Sequence, residues 1–162
     1  MSTTSAIMRI IRTYFDLPEE DRGAVIALGN FDGVHCGHQV VIGKAIAIAK
    51  TLEVFSAAMT FDPHPRRFFQ PNTPPFEMTP SGAKSRQLEL LGTDIHYAIP
   101  FDGGFSSLDG KTFIENVLVE GLRVRHIVAG YNFVFGKGRK GNVSLLKAVS
   151  YTHLTLPTIY SV

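Results

Sequence analysis

The feature that most constrains this 162-residue chain is an apolar segment that runs directly into a glycine-rich turn and then into a helical pattern. Residues 24–31 predict a buried strand, and apolar positions at helical spacing predict a helix from about Gly37 to Lys50. The turn between them contains glycines and two histidines, His35 and His38. Such a turn presents backbone N–H groups at a helix N-terminus, where anions bind. The pattern therefore predicts a phosphate-binding site at residues 29–38.

The rest of the chain alternates between strand-like and helix-like segments. Strands are predicted at 54–61, 95–101 and 127–133, and helices at 81–91, closed by Gly92, and around the apolar positions of 113–122. This order predicts an α/β fold with a mostly parallel sheet and helices on both faces. Ligands bind such sheets beyond the carboxyl ends of the strands, where the polar motifs of this sequence also fall.

The composition limits the classes of protein to consider. With 44% hydrophobic and 19% charged residues, the chain is expected to fold as one domain with a substantial core. No apolar run approaches the ~18 residues of a transmembrane helix, and the N-terminus lacks a signal-peptide pattern. A net charge of +2 does not indicate nucleic-acid binding, and the single cysteine, Cys36, fits a reducing compartment. We expect a cytoplasmic protein with no nucleic-acid or membrane partner.

His35 and His38 are the strongest candidates for chemistry. At a spacing of three residues they lie on one face of the first helical turn, so both imidazoles can reach one ligand. Beside a helix N-terminus they would stabilise the negative charge of phosphoryl or nucleotidyl transfer, which depends mainly on positioning and charge neutralisation. The alternative is a structural or zinc-ligating pair, for which Cys36 and His64 are nominal further ligands. We expect no metal site built from protein side chains.

Other candidate residues have simpler structural interpretations. Asp32, within a Phe-Asp-Gly turn, is by itself typical of a turn former. Phe133 and Phe135 alternate at a strand end, which is more typical of core residues than of a ligand wall. The basic cluster Lys137, Arg139 and Lys140 lies among glycines and is typical of a solvated loop, since it lacks the Gly-Lys-Ser/Thr ending of a P-loop.

The decapeptide Gly-Asn-Phe-Asp-Gly-Val-His-Cys-Gly-His at 29–38 resembles the phosphate-binding signature of the nucleotidylyltransferase superfamily, whose core is His-x-Gly-His. With the motifs at 60–65 and 130–136, it resembles the FMN adenylyltransferase (FAD synthetase) module of bacterial bifunctional riboflavin kinase/FAD synthetases over about residues 8–148. The resemblance implies a Rossmann-like nucleotidylyltransferase fold. It also implies a reaction in which the FMN phosphate attacks the α-phosphorus of Mg²⁺-ATP, giving FAD and pyrophosphate.

The resemblance also implies roles for individual residues. Catalytic roles are implied for His35, His38 and Asn132; ATP binding for Gly29, Phe31, Asp32, Gly37, His35 and His38; and FMN binding for Pro63, His64, Pro65, Phe69, Asn132 and Phe135. Two other functions stay open: a nucleotide- or flavin-binding fragment without turnover, and a nucleotidyltransferase that acts on another phosphate.

The C-terminal part departs from the family pattern. Family members continue into an Ile-Ser-Ser-Thr-x-x-Arg-like motif that helps to hold the ATP phosphates, and this chain has no such stretch after Arg139. We expect residues 1–150 to be a C-terminally truncated adenylyltransferase domain and residues 151–162 to be a non-native tail. A riboflavin kinase domain is expected in the full-length protein, and the sequence leaves the oligomeric state open.

Overall fold

A computed structural model describes residues 7–29, 31, 36–62, 69, 72, 81–130, 133–153 and 159–161. Its framework is a six-stranded sheet with the order β1-β4-β3-β2-β5-β6, in which every pair of neighbours is parallel. The strands are β1 (Arg9–Ile11), β2 (Val25–Leu28), β3 (Ser56–Asp62), β4 (Ile95–Pro100), β5 (His126–Ala129) and β6 (Ile159–Ser161). The predicted parallel α/β architecture is confirmed.

Helices connect the strands. The helices are α1 (Cys36–Leu52), α2 (Ser81–Leu90), α3 (Gly103–Ser106), α4 (Gly110–Thr112) and α5 (Val143–His153). Helix α4 continues directly into a π-helix, Phe113–Gly121, and short 3-10 turns occupy Glu19–Asp21 and Lys137–Arg139. None of the described helices is both long enough and apolar enough to cross a bilayer.

Alternating side chains of the central strand β2 divide the core into two layers. Val25 and Ala27 pack on one face of the sheet with residues of α1 and α2, such as Ile42 and Leu88. Ile26 and Leu28 pack on the other face with residues of the π-helix and α5. The predicted helices on both faces are therefore confirmed, and the strand is apolar throughout because neither face reaches water.

Two elements differ from the sequence prediction, and one predicted helix end is confirmed. The segment 113–122 was expected to be an α-helix, but its end is wound more widely, with the Leu122 N–H donating to the Val117 carbonyl over 2.9 Å. Strand β1 was not predicted, because three residues are too few to show a period. Gly92 ends α2 as predicted, in the left-handed region at φ 101°.

The C-terminal residues also have defined structure. Helix α5 extends to His153, and β6 pairs with the outer edge of β5, with Ile159 opposite Ile127. These contacts describe the conformation of residues 143–153 and 159–161 and do not test whether residues 151–162 are native. The assignment of residues 151–162 as a non-native tail stays a prediction.

Candidate functional site

The strand order creates a crevice at the carboxyl end of β2. After β2 the chain crosses through α1 to β3 on one side, whereas β5 pairs with β2 on the other side. Open parallel sheets bind ligands at such a switch point. Leu28 and Ala129 are register partners, so Gly29 and Gly130 leave the sheet side by side. The sequence-predicted motifs at 29–38 and 130–136 thus begin at the same crevice.

Gly29 and Phe31, which follow β2, are tightly packed. A Cβ atom at Gly29 would lie 2.9 Å from Cε1 of Phe31, which leaves room for glycine only. Phe31 has a left-handed backbone, with φ 53°, and its ring is only 1% exposed. A non-glycine residue in this region is strained and needs support from its surroundings. The buried ring therefore fixes residue 31 against the core just beyond the end of β2.

Helix α1 directs its N-terminus toward this crevice. It starts at Cys36, has no acidic residue in its first turn, and has Lys50 in its last turn. Its 17 residues align enough peptide dipoles to give the N-terminus a partial positive charge. Gly37, in the first turn, is exposed. The first turn is therefore suited to an anionic ligand.

His38 lies in the first turn of α1 and is half-buried. Its imidazole stands perpendicular to the Phe31 ring, with the ring centroids 5.4 Å apart. Since Phe31 is itself fixed by burial, this contact holds the imidazole beside the helix N-terminus. Of the predicted ATP-binding residues, the structure thus brings together Gly29, Phe31, Gly37 and His38.

A chain of aromatic rings lies on the opposite face of the sheet from α1, near the ends of β3 and β4. Successive ring centroids are 5.9, 5.8, 5.9 and 5.3 Å apart. We call this set the aromatic chain; its members are Phe69, Phe101, Phe105, Phe113 and Phe135. It connects the two phenylalanines that were predicted to bind FMN.

The two ends of the aromatic chain differ in exposure. Phe69 is 64% exposed, so most of its ring is available to a ligand. Phe135 is 7% exposed and also stacks on Phe133, at a centroid distance of 5.6 Å. The burial of Phe135 favours the core interpretation that its strand-end position suggested.

Two aspartate caps position the middle of the aromatic chain. Asp102 caps α3, with its Oδ1 accepting from the Phe105 N–H over 2.8 Å. Asp109 caps α4, with its Oδ1 accepting from the Thr112 N–H over 2.7 Å, and Phe113 follows at once. The Thr112 hydrogen bonds hold the pKa of Asp109 below its ordinary value. Sequence reasoning missed Phe105 and Phe113 as members of a site, although an Asp immediately before each helix was a readable capping signal.

A buried polar group that the sequence prediction missed lies on the α1 face. His96 of β4 is 1% exposed, and its Nε2 and Nδ1 are each 2.7 Å from a hydroxyl, those of Thr60 and Ser85. Burial, then the nearby charges of Lys84 and Arg12, lower the pKa of His96 to about 4. The neutral ring donates to one hydroxyl and accepts from the other. This network joins β3, β4 and α2 just before the Asp-Pro-His-Pro motif at 62–65.

A cleft of 330 Å³ opens at the ends of β1 and β4. Its volume lies at the lower end of the range for small-molecule sites. It borders the aromatic chain through Phe105, whose ring centroid is 5.8 Å from that of Tyr14. Its lining residues are Arg12, Thr13, Tyr14, Phe15, Ile99, Pro100, Asp102 and Phe105.

The remaining predicted site residues lie outside the described part of the chain. They are Asp32, His35, Pro63, His64, Pro65 and Asn132. Among the residues that the structure describes, no group of three or more His, Cys, Asp or Glu side chains could hold a metal ion. His35 and His64, two nominal members of the zinc alternative, are in the undescribed set.

Comparison with known proteins identifies relatives over most of the chain. A family model described as FAD synthetase matches residues 17–160. The bifunctional riboflavin kinase/FMN adenylyltransferase of Bacillus subtilis (strain 168) is 43% identical over 131 residues, covering 80% of this chain and 41% of that protein. The protein of the same name from Buchnera aphidicola subsp. Schizaphis graminum is 34% identical over 146 residues, covering 90% of this chain and 47% of that protein.

A solved structure supports the fold. A macrolide-efflux protein from Streptococcus pneumoniae superposes with a TM-score of 0.76 at 24% identity, covering 96% of this chain and 50% of that chain. At this identity the likeness concerns the α/β architecture alone. The chain spans less than half the length of the curated relatives described above.

Proposed function

Because the chain belongs to the FAD synthetase family, we propose that it transfers the adenylyl group of ATP to the phosphate of FMN. The family membership confirms the resemblance inferred from residues 29–38. The single observation that carries the proposal is the N-terminus of α1 at the crevice beside β2, with His38 held against Phe31 at 5.4 Å. It supplies fixed hydrogen-bond donors and positive charge where a nucleotide phosphate would bind.

In the proposed reaction an oxygen of the FMN phosphate forms a bond to the α-phosphorus of ATP. The bond from that phosphorus to the oxygen that bridges to the β-phosphorus breaks, and pyrophosphate leaves. The attacking phosphate is already anionic, so the step requires no general base. His38 and the N–H groups of the first turn of α1 would stabilise the charge on the phosphate oxygens, which is the main catalytic term in phosphoryl transfer. His35 is proposed to act with His38.

FMN is proposed to bind with its ring against the exposed end of the aromatic chain. Phe69 offers most of its ring surface, and the 5.9 Å contact with Phe101 supports it from behind. Aromatic stacking of this kind contributes about 0.5–1.5 kcal/mol per pair beyond area burial. The other proposed FMN residues are Pro63, His64, Pro65 and Asn132, with Phe135 supporting the ring from the core.

Mg²⁺ is proposed to enter with ATP as part of the substrate. The ion is usually held by substrate phosphates and one or two carboxylates rather than by a cage of protein ligands. The absence of a three-residue metal cluster in the described residues is compatible with this arrangement. Mg²⁺ would neutralise phosphate charge, while the protein groups orient the nucleotide.

The full-length protein is proposed to carry a riboflavin kinase domain as well. The relatives are bifunctional by name, and the matched segments cover only 41–47% of their length. The cytoplasmic location expected from the sequence stays a prediction.

The test is FAD formation from FMN and Mg²⁺-ATP, followed by HPLC. We would compare this chain with a version in which residues 151–162 are replaced by the family-length continuation of the Bacillus subtilis relative. FAD from either version supports the proposal, and FAD from the lengthened version alone identifies residues 1–150 as an incomplete active site. If both versions are folded and neither forms FAD, the adenylyltransferase proposal is wrong. Binding of ATP and FMN without turnover would then favour a binding fragment.

A further inference from the structure

The basic segment between Phe135 and Gly141 is a closed and anchored loop. The Phe135 N–H donates to the Gly141 carbonyl over 3.1 Å, and the Gly141 N–H donates to the Phe135 carbonyl over 2.8 Å. The Lys137 N–H donates to the carbonyl of Leu108, just before α4, over 2.8 Å. We call residues 136–141 the cationic loop. Its base is tied both to itself and to the neighbouring helix.

Glycines bring the base of the cationic loop into direct backbone contact with α4. A Cβ atom at Gly136 would lie 2.7 Å from the backbone nitrogen of Gly110. A Cβ atom at Gly141 would lie 2.5 Å from the Phe135 ring. Such approaches leave no space for a side chain, so the base of the loop is fixed although its tip is exposed. The sequence pattern alone had suggested a solvated loop.

The tip of the cationic loop displays three positive charges. Lys137, Arg139 and Lys140 are all exposed, and within the described residues none of them forms an ion pair. Gly138 and Arg139 both have left-handed backbones, with φ 68° and 56°. For arginine this conformation is strained, and strained residues of this kind concentrate at ligand-binding sites. The nearby Asp109 carboxylate caps α4, so it is already engaged.

The cationic loop borders the aromatic chain and follows the strand that pairs with β2 at the crevice. It follows β5, whose end is adjacent to that of β2 and therefore to the turn that leads into α1. Its first anchoring residue, Phe135, belongs to the aromatic chain through the 5.3 Å contact with Phe113. A phosphorylated ligand whose ring lies on the aromatic chain would thus have the loop at the border of its site.

We propose that the cationic loop is a phosphate-binding element, in which Lys137, Arg139 and Lys140 hold a phosphate group of a substrate at the border of the aromatic chain. This inference rests on the proposed function. The phosphate can come from FMN or from the triphosphate of ATP. The anchored base lowers the entropy that binding must overcome, because the cations are already gathered on one rigid turn. Their exposure makes the attraction sensitive to salt.

The test compares phosphorylated ligands with their dephosphorylated partners. A triple variant, Lys137→Ala/Arg139→Ala/Lys140→Ala, removes the loop charges. The matched control, Lys50→Ala/Arg125→Ala/Lys147→Ala, removes two exposed lysines and one exposed arginine elsewhere. Dissociation constants are measured by calorimetry for FMN and riboflavin, for ATP and adenosine, and for pyrophosphate alone. Circular dichroism checks that every variant is folded.

We expect the loop variant to bind at least one phosphorylated ligand about tenfold or more weakly, which is the loss of about one charge-assisted hydrogen bond. The loop variant should bind riboflavin and adenosine with the same dissociation constants as the unmodified chain. The control variant should have the dissociation constants of the unmodified chain for every ligand. A loss confined to FMN identifies the FMN phosphate as the occupant, and a loss confined to ATP or pyrophosphate identifies the triphosphate. Raising the salt concentration should reduce the difference between the loop variant and the unmodified chain.

Several results would overturn the inference. Unchanged binding of all phosphorylated ligands to the loop variant would do so, as would an equal loss for riboflavin or adenosine, or an equal loss in the control variant. If the unmodified chain binds neither flavin nor adenine nucleotide, the proposed function fails. The pyrophosphate titration then still decides whether the loop binds phosphate.

A second pair of variants tests whether the anchoring matters. Gly136→Ala places a Cβ atom against the Gly110 backbone, whereas Gly138→Ala has no atom closer than 3.7 Å, and both positions have positive φ. Both variants keep the three cations. We expect Gly136→Ala to lose phosphate affinity severalfold more than Gly138→Ala. Equal affinities in the two folded variants would show that the fixed base has no part in binding.

Discussion

At the scale of single residues, Phe31 links the strand-end turn to the helix. Its 1% exposure and its left-handed φ of 53° show that packing outweighs local backbone preference. The sequence predicted a turn and a phosphate site here, because glycines and histidines follow an apolar strand. It could not predict the contact of Phe31 with His38, since ring orientation depends on burial in the finished core.

The first prediction concerns His38. Replacing His38 with alanine should lower kcat/KM for FAD formation by about 100-fold or more, the usual effect of losing a donor that stabilises developing charge. The variant should be made in whichever version of the chain turns over, and the melting temperature should change little because the side chain is only half-buried.

His126→Ala is the matched control for His38→Ala. His126 is also half-buried, but it begins β5 and therefore lies at the amino-terminal ends of the strands, opposite the crevice. Its removal should leave FAD formation unchanged. Equal activity loss in both variants would argue against a catalytic role for His38.

The second prediction concerns the pH dependence of stability at His96. Its pKa is about 4 in the folded chain, below the ordinary value of 6.5, so the unfolded chain takes up a proton more readily. The contribution of neutral His96 to the free energy of unfolding is complete above pH 6.5 and is lost as the pH falls toward 4. By linkage the loss amounts to roughly 3 kcal/mol.

Urea denaturation at several pH values between 7 and 4 checks this expectation. His96→Gln has no group that titrates in this range at position 96, so its stability should fall less steeply than that of the unmodified chain over the same interval. Parallel curves for the two proteins would contradict the assignment of His96 as a buried neutral base.

At the scale of elements, alanine substitutions at two helical glycines are expected to change the free energy of unfolding in opposite directions. Gly43 lies in α1, and a Cβ atom added there would have no neighbour within 4 Å, so Gly43→Ala should raise the free energy of unfolding by about 0.5–1 kcal/mol. A Cβ atom at Gly121, at the end of the π-helix, would meet the Tyr14 carbonyl oxygen at 2.2 Å. Gly121→Ala should therefore destabilise the chain, by more than about 1 kcal/mol. Chemical denaturation of both variants measures the difference, and a stabilised Gly121→Ala variant would contradict the close contact.

Apolar patterning predicted the longer elements, as continuous runs in strands and as helical spacing in helices. Helix α1 and strands β3 and β4 are each six residues or longer, and they formed close to the expected bounds. The apolar positions of 113–122 predicted a helix but not its π geometry, because the same residues are buried in either winding. The aromatic chain was only partly predictable, since its rings come from segments that meet through tertiary packing alone.

At the scale of the whole molecule, β6 determines whether β5 is an inner or an edge strand. Replacing Ile159–Ser161 with Gly-Ser-Gly should remove the pairing with β5 and leave an apolar edge exposed. We expect a lower melting temperature and more self-association, measured by calorimetry and size-exclusion chromatography. The control is Lys50→Ala, an exposed position in the last turn of α1, which should change neither measurement. An unchanged melting temperature in the β6 variant would show that β6 adds nothing to the sheet.

The pairing of β2 with β5 has a consequence for the order in which the molecule forms. These strands are neighbours at the crevice, yet their register partners are roughly 100 positions apart along the chain. During synthesis β2, α1 and β3 emerge together and can associate early, whereas the other wall of the crevice is made only after β5 has left the ribosome. The protein therefore becomes able to bind its ligands late in synthesis. A nascent chain that stops before His126 contains the motif at 29–38 but lacks the strand that forms the other wall of the crevice.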